Sequence, residues 1–299
     1  MQISITITSD FDRLYGHDFA RILDIARWAE TARIDQLDLA EHLCMGDGRS
    51  YPFGAYPAPL DEPWPEPLVA LAAIAAVTRT LRLGTGILIA PLRPPALLAK
   101  QLATLDRLSG GRVDIGIAAG WQREEYEACG IAFEQRHRRL DDTVRACRAL
   151  WSGERVTLQL DTVALNNVLA LPTPLQQPLP IWYGGSPTAI TARRIARWGH
   201  GWIPLFLPEP ELAAGIALIR AAYREHGRDP AQLQVRHTLL PTFDSAGRLD
   251  IAATCAALPR LRELGVTMIN VGLGWCVRDA AHVQDTIAAL GEHFAALDS

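Results

Sequence analysis

The chain has 299 residues, 49% apolar and 21% charged, with a formal net charge of −4 and a pI near 6.1. This is the balance of a soluble globular protein, long enough to form an α/β barrel as one domain over residues 1–299. The weak negative charge gives no reason to expect nucleic acid or an anionic membrane as a partner.

Five scattered cysteines (Cys44, Cys129, Cys147, Cys255, Cys276) show no zinc-like spacing and read as the reduced thiols of a cytoplasmic protein. The start, "MQISITITSD", lacks the basic and long apolar regions of a secretory signal. The most apolar stretch, from Pro67, falls well short of the ~20 residues that span a bilayer. Of the 29 basic residues only Lys100 is a lysine, an arginine bias that points to a high-GC genome.

From the N-terminus, residues 3–8 are a β-branched run. A helix follows over residues 18–32, with Phe19, Ile22, Leu23, Ala26 and Ala29 on one face. Residues 35–40 form the second strand. A loop rich in Gly, Pro and Tyr (residues 43–65) leads to the buried helix at Pro67. The third strand is "LRLGTGILIAP", followed by a helix over 94–108 that stops at "SGG". The fourth strand is 113–118, with helices over 123–129 and 135–151 behind it. Residues 155–171 alternate like an inserted hairpin. Strands at 180–185, 201–206, 234–240 and 267–273 then alternate with helices at 187–198, 210–226, 252–264 and the C-terminus. Eight near-continuous apolar strands, each followed by a helix, predict a (β/α)8 TIM barrel with loop and hairpin insertions.

Such a barrel places its site at the C-terminal strand ends. Here those are Ser9 and Asp10; Glu41 and His42; Thr85–Ile87; Ala119–Trp121; Gly184–Ser186; Pro204; Pro241 and Thr242; and Gly274 and Trp275. "YGGSPTAITARR" frees backbone at Gly184 and Gly185. It offers Ser186 as a helix cap and Pro187 as the first helical residue, which makes either an anion site, most naturally for phosphate, or simply a tight capped turn. His42 is the only histidine at a strand mouth, and is either a proton-transfer group or a hydrogen-bonded structural residue. Alternation turns it away from Glu41. His17, His137, His200, His226, His282 and His293 read as helix or loop residues, and His237 as a strand-interior one. Gly84 and Gly86 weaken a strand unless a bulge, a bend or a close ligand needs bare backbone.

Lys100 lies away from the mouths, which disfavours a Schiff-base enzyme, and no metal-ligand spacing or G-x-S-x-G elbow is present. A phosphate cradle with few ionisable groups suits a bound redox cofactor.

"LAEHL" (39–43), "LRLGTGILIAPLRPP" (81–95), "GRVDIGIAAGWQREEYEACG" (111–130) and "PIWYGGSPTAITARRIARWGHGWIP" (180–204) resemble the luciferase-like monooxygenase superfamily. Within it they are similar to the coenzyme F420-dependent oxidoreductases. The resemblance spans residues 3–204. It implies a luciferase-like barrel, commonly a homodimer, that holds F420, or alternatively FMN, in its mouth. It further implies a bulged third strand with a non-prolyl cis bond at Gly86–Ile87, flanked by Thr85. His42 would lie near the reactive ring carbon, the segment Ala118, Ala119, Gly120 and Trp121 would line the cavity, and Gly184, Gly185 and Ser186 would hold the cofactor phosphate.

F420-dependent sugar-phosphate dehydrogenases carry a glutamate where this chain has Trp121, so the resemblance argues against that substrate. Trp121, Trp275 and the loop aromatics Tyr51, Phe53, Tyr56 and Trp64 either line a larger, apolar substrate pocket or pack the long loop. The expected activity is F420-dependent hydride transfer to or from a small organic substrate, with His42 as proton donor or acceptor. The alternatives are an FMN-dependent monooxygenase fed by a separate reductase and a cofactor-binding barrel without turnover.

Overall fold

The structure, a computed structural model, describes residues 1–8, 11–16, 18–52, 54–56 and 58–297, with the side chains of Phe11 and Asp12 excepted. Ser9, Asp10, His17 and Phe53 lie outside the described residues. In chain order the elements are β1 (Gln2–Ile7), α1 (Phe11–Tyr15), α2 (Ile22–Thr31), β2 (Gln36–Leu39), α3 (Pro67–Val77), β3 (Arg82–Ile89), α4 (Pro95–Ser109) and β4 (Val113–Ala118). Then come α5 (Arg123–Ala128), α6 (Arg136–Leu150), β5 (Val156–Gln159), β6 (Ala164–Val168), β7 (Ile181–Gly184), α7 (Ala189–Trp198), β8 (Gly201–Ile203) and α8 (Glu209–Glu225). The chain ends with β9 (Gln234–Leu239), α9 (Ile251–Thr254), α10 (Leu258–Leu264), β10 (Met268–Gly272), α11 (Leu273–Cys276) and α12 (Val283–Leu297). Eight parallel strands close in the order β1-β10-β9-β8-β7-β4-β3-β2, and β5 and β6 pair apart as the antiparallel hairpin.

Four of the departures from the sequence reading have a clear local reason. Asp18 accepts from the Ala20 amide and caps a 3-10 turn, so α2 begins at Ile22 and Phe19 is left 39% exposed rather than on the buried face. At α7 the capping residue is Thr188, whose hydroxyl takes the Thr191 amide at 3.1 Å; Ser186 does not cap and Pro187 is not helical. β8 stops at Ile203 because Pro204 has no N–H for the ladder. Residues 252–264 break into α9 and α10, since Pro259 fits only a first helical turn.

The strands are also less apolar than they read. In β1, Ile3, Ile5 and Ile7 pack outward into the core, whereas Ser4 and Thr6 are buried facing the lumen with Gln36, Asp38, Arg236 and Asn270. The Arg236 guanidinium of β9 pairs with the Asp38 carboxylate of β2. These strands are not neighbours, so the pair can meet only across the barrel. Asn270 donates to Ser4 Oγ at 2.8 Å and to Thr6 Oγ1 at 2.5 Å. Alternation between an outer apolar face and an inner polar one is what a closed sheet needs when its lumen is a hydrogen-bonded network. No helix among the described residues is long and apolar enough to cross a membrane.

Candidate functional site

At the mouth of β3 the ladder to β4 slips. Thr85 pairs with Ile115, but the next pair is Leu88 with Ile117, so one extra residue bulges out around Gly86 and Ile87. The Gly86–Ile87 peptide is cis, as the resemblance implies. Both sides of the bulge are held. Thr85 Oγ1 donates to the Gly116 carbonyl at 2.7 Å, and the Thr85 carbonyl accepts from Arg236 Nη2 at 2.9 Å. Beyond the bulge, the Ile89 amide donates to Glu41 Oε2 at 2.6 Å. Glu41 is buried and paired with Arg93, whose guanidinium also reaches Glu66 Oε1 at 2.5 Å. Glu41 and His42 thus have separate partners, as strand alternation predicts.

The residues expected to line a cofactor site form one strip along adjacent mouths. A Cβ placed on Gly184 would lie 2.9 Å from Ile87 Cγ2 and 3.6 Å from Ala118 Cβ, so β7 meets the bulge with no side chain of its own between them. Gly120 has φ +68°, open to glycine, and a Cβ there would press on Ile89 Cγ2 at 2.9 Å. The Tyr126 hydroxyl donates to the Ala119 carbonyl and fixes this turn. Gly185 has φ +134°, with nothing within 4 Å of where a Cβ would sit. Its amide donates to the Ile203 carbonyl at 3.2 Å and its carbonyl accepts from Trp202 Nε1 at 2.9 Å. With the Thr191 amide taken by Thr188, the backbone left for an anion is that of exposed Ser186 and of Ala189 and Ile190 at the start of α7.

His42 stands at the edge of this strip, 9% exposed. Its Nδ1 is 3.1 Å from Glu125 Oε2, and Glu125 Oε1 accepts from the Leu43 amide at 2.8 Å. Gln122 takes the Gly46 amide at 2.6 Å and donates to the Cys44 carbonyl at 2.9 Å, so the start of α5 grips the whole loop from His42 to Gly46. Aromatic rings meet His42 edge-on: Trp64 at 4.9 Å, Trp121 at 5.6 Å and Tyr56 at 6.3 Å between centroids. Tyr51 completes the box, 5.2 Å from both Trp121 and Tyr56. Burial pushes the Tyr56 phenol up to about 12 and raises Tyr51 as well, so both rings are neutral phenols near pH 7.

Trp275 is not in this box. It follows β10, across the mouth, and pairs with Phe206 at 5.9 Å. His237 lies in β9, where burial pushes its imidazole down; its Nδ1 is buried without a partner. Lys100 donates to the Leu171 carbonyl, away from the mouth. Among the described residues, no group of three or more His, Cys, Asp or Glu side chains could hold a metal ion.

Sequence reasoning missed Glu125, the Glu41–Arg93 pair and the Asp38–Arg236 pair. Glu125 had a signal in "WQREEY", carboxylates a few residues past a strand mouth, but only the turn of α5 selects it over Glu124.

An uncharacterised protein of Mycobacterium tuberculosis is 32% identical over 251 residues, 84% of this chain and 82% of its own length. The FMNH2-dependent dimethylsulfone monooxygenase of Pseudomonas putida is 36% identical over 132 residues, 42% of this chain and 36% of that protein. The solved structure of an F420-dependent secondary alcohol dehydrogenase, in complex with an F420–acetone adduct, shares the fold. Its TM-score is 0.74 at 17% identity, over 97% of this chain and 98% of that one. The sequence profile of the luciferase-like monooxygenases matches residues 1–246, which takes in the bulge of β3, the His42 loop and the Gly184–Ser186 turn; the chain belongs to the luciferase-like monooxygenase family.

Proposed function

We propose that this chain is an oxidoreductase that uses coenzyme F420 for hydride transfer to or from a small organic substrate, with His42 giving or taking the accompanying proton. One observation carries the reading: a strip of bare backbone runs from Gly86 and Ile87 past Ala118, Ala119 and Gly120 to Gly184, with the His42 imidazole at its edge. The residues present fit the group. Gly86 and Ile87, only partly buried, suit a flat ring, and Ser186 with the first turn of α7 suits a phosphate. A deazaflavin held by these residues would supply the hydride chemistry. The chain's own residues bind and orient it and move the proton at His42 Nε2. Trp121, Tyr51, Tyr56 and Trp64 form one apolar wall for the substrate, and Trp275 with Phe206 forms the facing one.

The arginine bias leans toward F420, because high-GC actinobacteria commonly make it, although FMN users share such genomes. The second reading, an FMN-dependent monooxygenase supplied with reduced flavin by a separate reductase, draws on the likeness to the Pseudomonas putida enzyme. A homodimer is part of the proposal. α3, "PLVALAAIAAV", is apolar on every side, yet Val69 is 70% exposed, and Leu97 and Leu108 of the adjoining α4 are 50% and 66% exposed. Light scattering should give the mass of two chains.

The test is cofactor titration of the purified protein. F420 should bind at micromolar concentrations or below, and FMN far more weakly. FMN binding with no F420 binding refutes the proposal in favour of the monooxygenase. Turnover that survives His42→Ala removes the proton role.

A further inference from the structure

The Leu43 amide and His42 Nδ1 converge on one buried carboxylate beside the candidate site. Glu125 is 1% exposed; its Oε1 receives the Leu43 amide at 2.8 Å and its Oε2 faces His42 Nδ1 at 3.1 Å. The Leu43 amide can only donate, and a carboxylate offers only acceptors. The proton of the neutral imidazole therefore sits on Nδ1, and Nε2 carries the lone pair, with no hydrogen-bond partner among the described residues.

We propose that Glu125 is a positioning residue that locks His42 in the Nδ1–H tautomer and aims Nε2 at the substrate. The inference rests on the reading of His42 as the group that exchanges the substrate's proton. The surroundings reinforce the lock. Gln122 pins the loop on the far side at Cys44 and Gly46, and the edges of Trp64 and Trp121 fix the plane of the ring. In this tautomer neutral His42 is a base at Nε2, and becomes an acid there only after gaining a second proton.

Ring-nitrogen shifts of 15N-histidine-labelled full-length protein, above the imidazole titration, read the tautomer with neither cofactor nor substrate present. The wild type should show Nδ1–H. In Glu125→Gln the amide has one acceptor and one donor. If its oxygen keeps the Leu43 amide, its NH2 faces Nδ1 and the proton moves to Nε2, so the tautomer reverses. Turnover should then fall ~10²–10⁴-fold, the range for losing acid–base catalysis or misplacing an imidazole proton, with substrate KM little changed. Glu125→Asp, which keeps two acceptors, should restore Nδ1–H and part of kcat. In a His42→Ala background Glu125→Gln should cost nothing further.

Nε2–H in the wild type overturns the proposal, as does a Glu125→Gln loss of the same size without His42. Reversal of the tautomer alongside full activity in His42→Ala supports the positioning by Glu125 and removes the proton role of His42 instead, so the two failures are distinct.

Discussion

Gly84 and Gly86 look interchangeable in "LGTG", but they face different demands. A Cβ on Gly84 would sit 2.0 Å from Asp38 Oδ1 and 2.5 Å from Gln36 Nε2, with the Asp114 carbonyl at 3.1 Å. Asp38 cannot swing aside cheaply: Oδ1 accepts from Gln36 Nε2 at 2.8 Å and is paired with Arg236, and both ends of that pair are buried in the lumen. If the network yields but stays paired, overpacking costs about 1–3 kcal/mol. If Asp38 is pushed off Arg236, the uncompensated buried charge raises the cost to about 3–5 kcal/mol. A Cβ on Gly86 meets Arg236 Nη2, Asp38 Cβ and Thr6 Oγ1, all at 3.6 Å, which is ordinary contact. Gly84→Ala should therefore lose about 2–5 kcal/mol and Gly86→Ala less than about 1 kcal/mol. The assay is the shift of the urea midpoint, read by circular dichroism at unchanged slope. Equal losses, or a larger one for Gly86→Ala, would refute the steric reasoning.

That contrast shows where the sequence was informative. Alternation of strand and helix specified the barrel, because each parallel strand needs a covering helix and each junction has its own Pro, Gly or capping residue. The bulge at Gly86 and Ile87 was foreseeable from resemblance, but the reason for Gly84 was not, since it lies in Asp38 and Arg236, residues 46 and 152 positions further along the chain from Gly84 in one direction or the other. The polar lumen was visible in "ISITIT" and "QVRHTL", whose period of two separates an outer apolar face from an inner polar one; reading these strands as continuously apolar hid it. The strand-mouth rule does bring some candidate residues close together, His42 near Trp121 and Ile87 near Gly184. Glu125 escaped because its role depends on helical phase and on the amide of Leu43, and backbone donors leave no mark on side-chain identity.

Arg93→Met strands the buried Glu41 carboxylate and should cost about 3–5 kcal/mol in thermal or urea unfolding, while adding Glu41→Gln, which still accepts from Ile89, should recover much of it; a neutral Arg93→Met would show that the pair carries no weight. Glu30 joins α2 to the start of β3 through Oε1, which accepts from the Arg79, Thr80 and Leu81 amides and the Thr80 hydroxyl. Partial burial raises its carboxyl, but these donors outweigh that and hold it at about 2, below its ordinary 4.5. Because the folded value is depressed, the stabilisation is present above pH 4.5 and is lost as pH falls through about 2. Screening at this half-open position limits it to about 1 kcal/mol. The acid limb of stability in Glu30→Gln should be shallower than that of the wild type by that amount, and identical limbs would mean that the three amides are as well served by water.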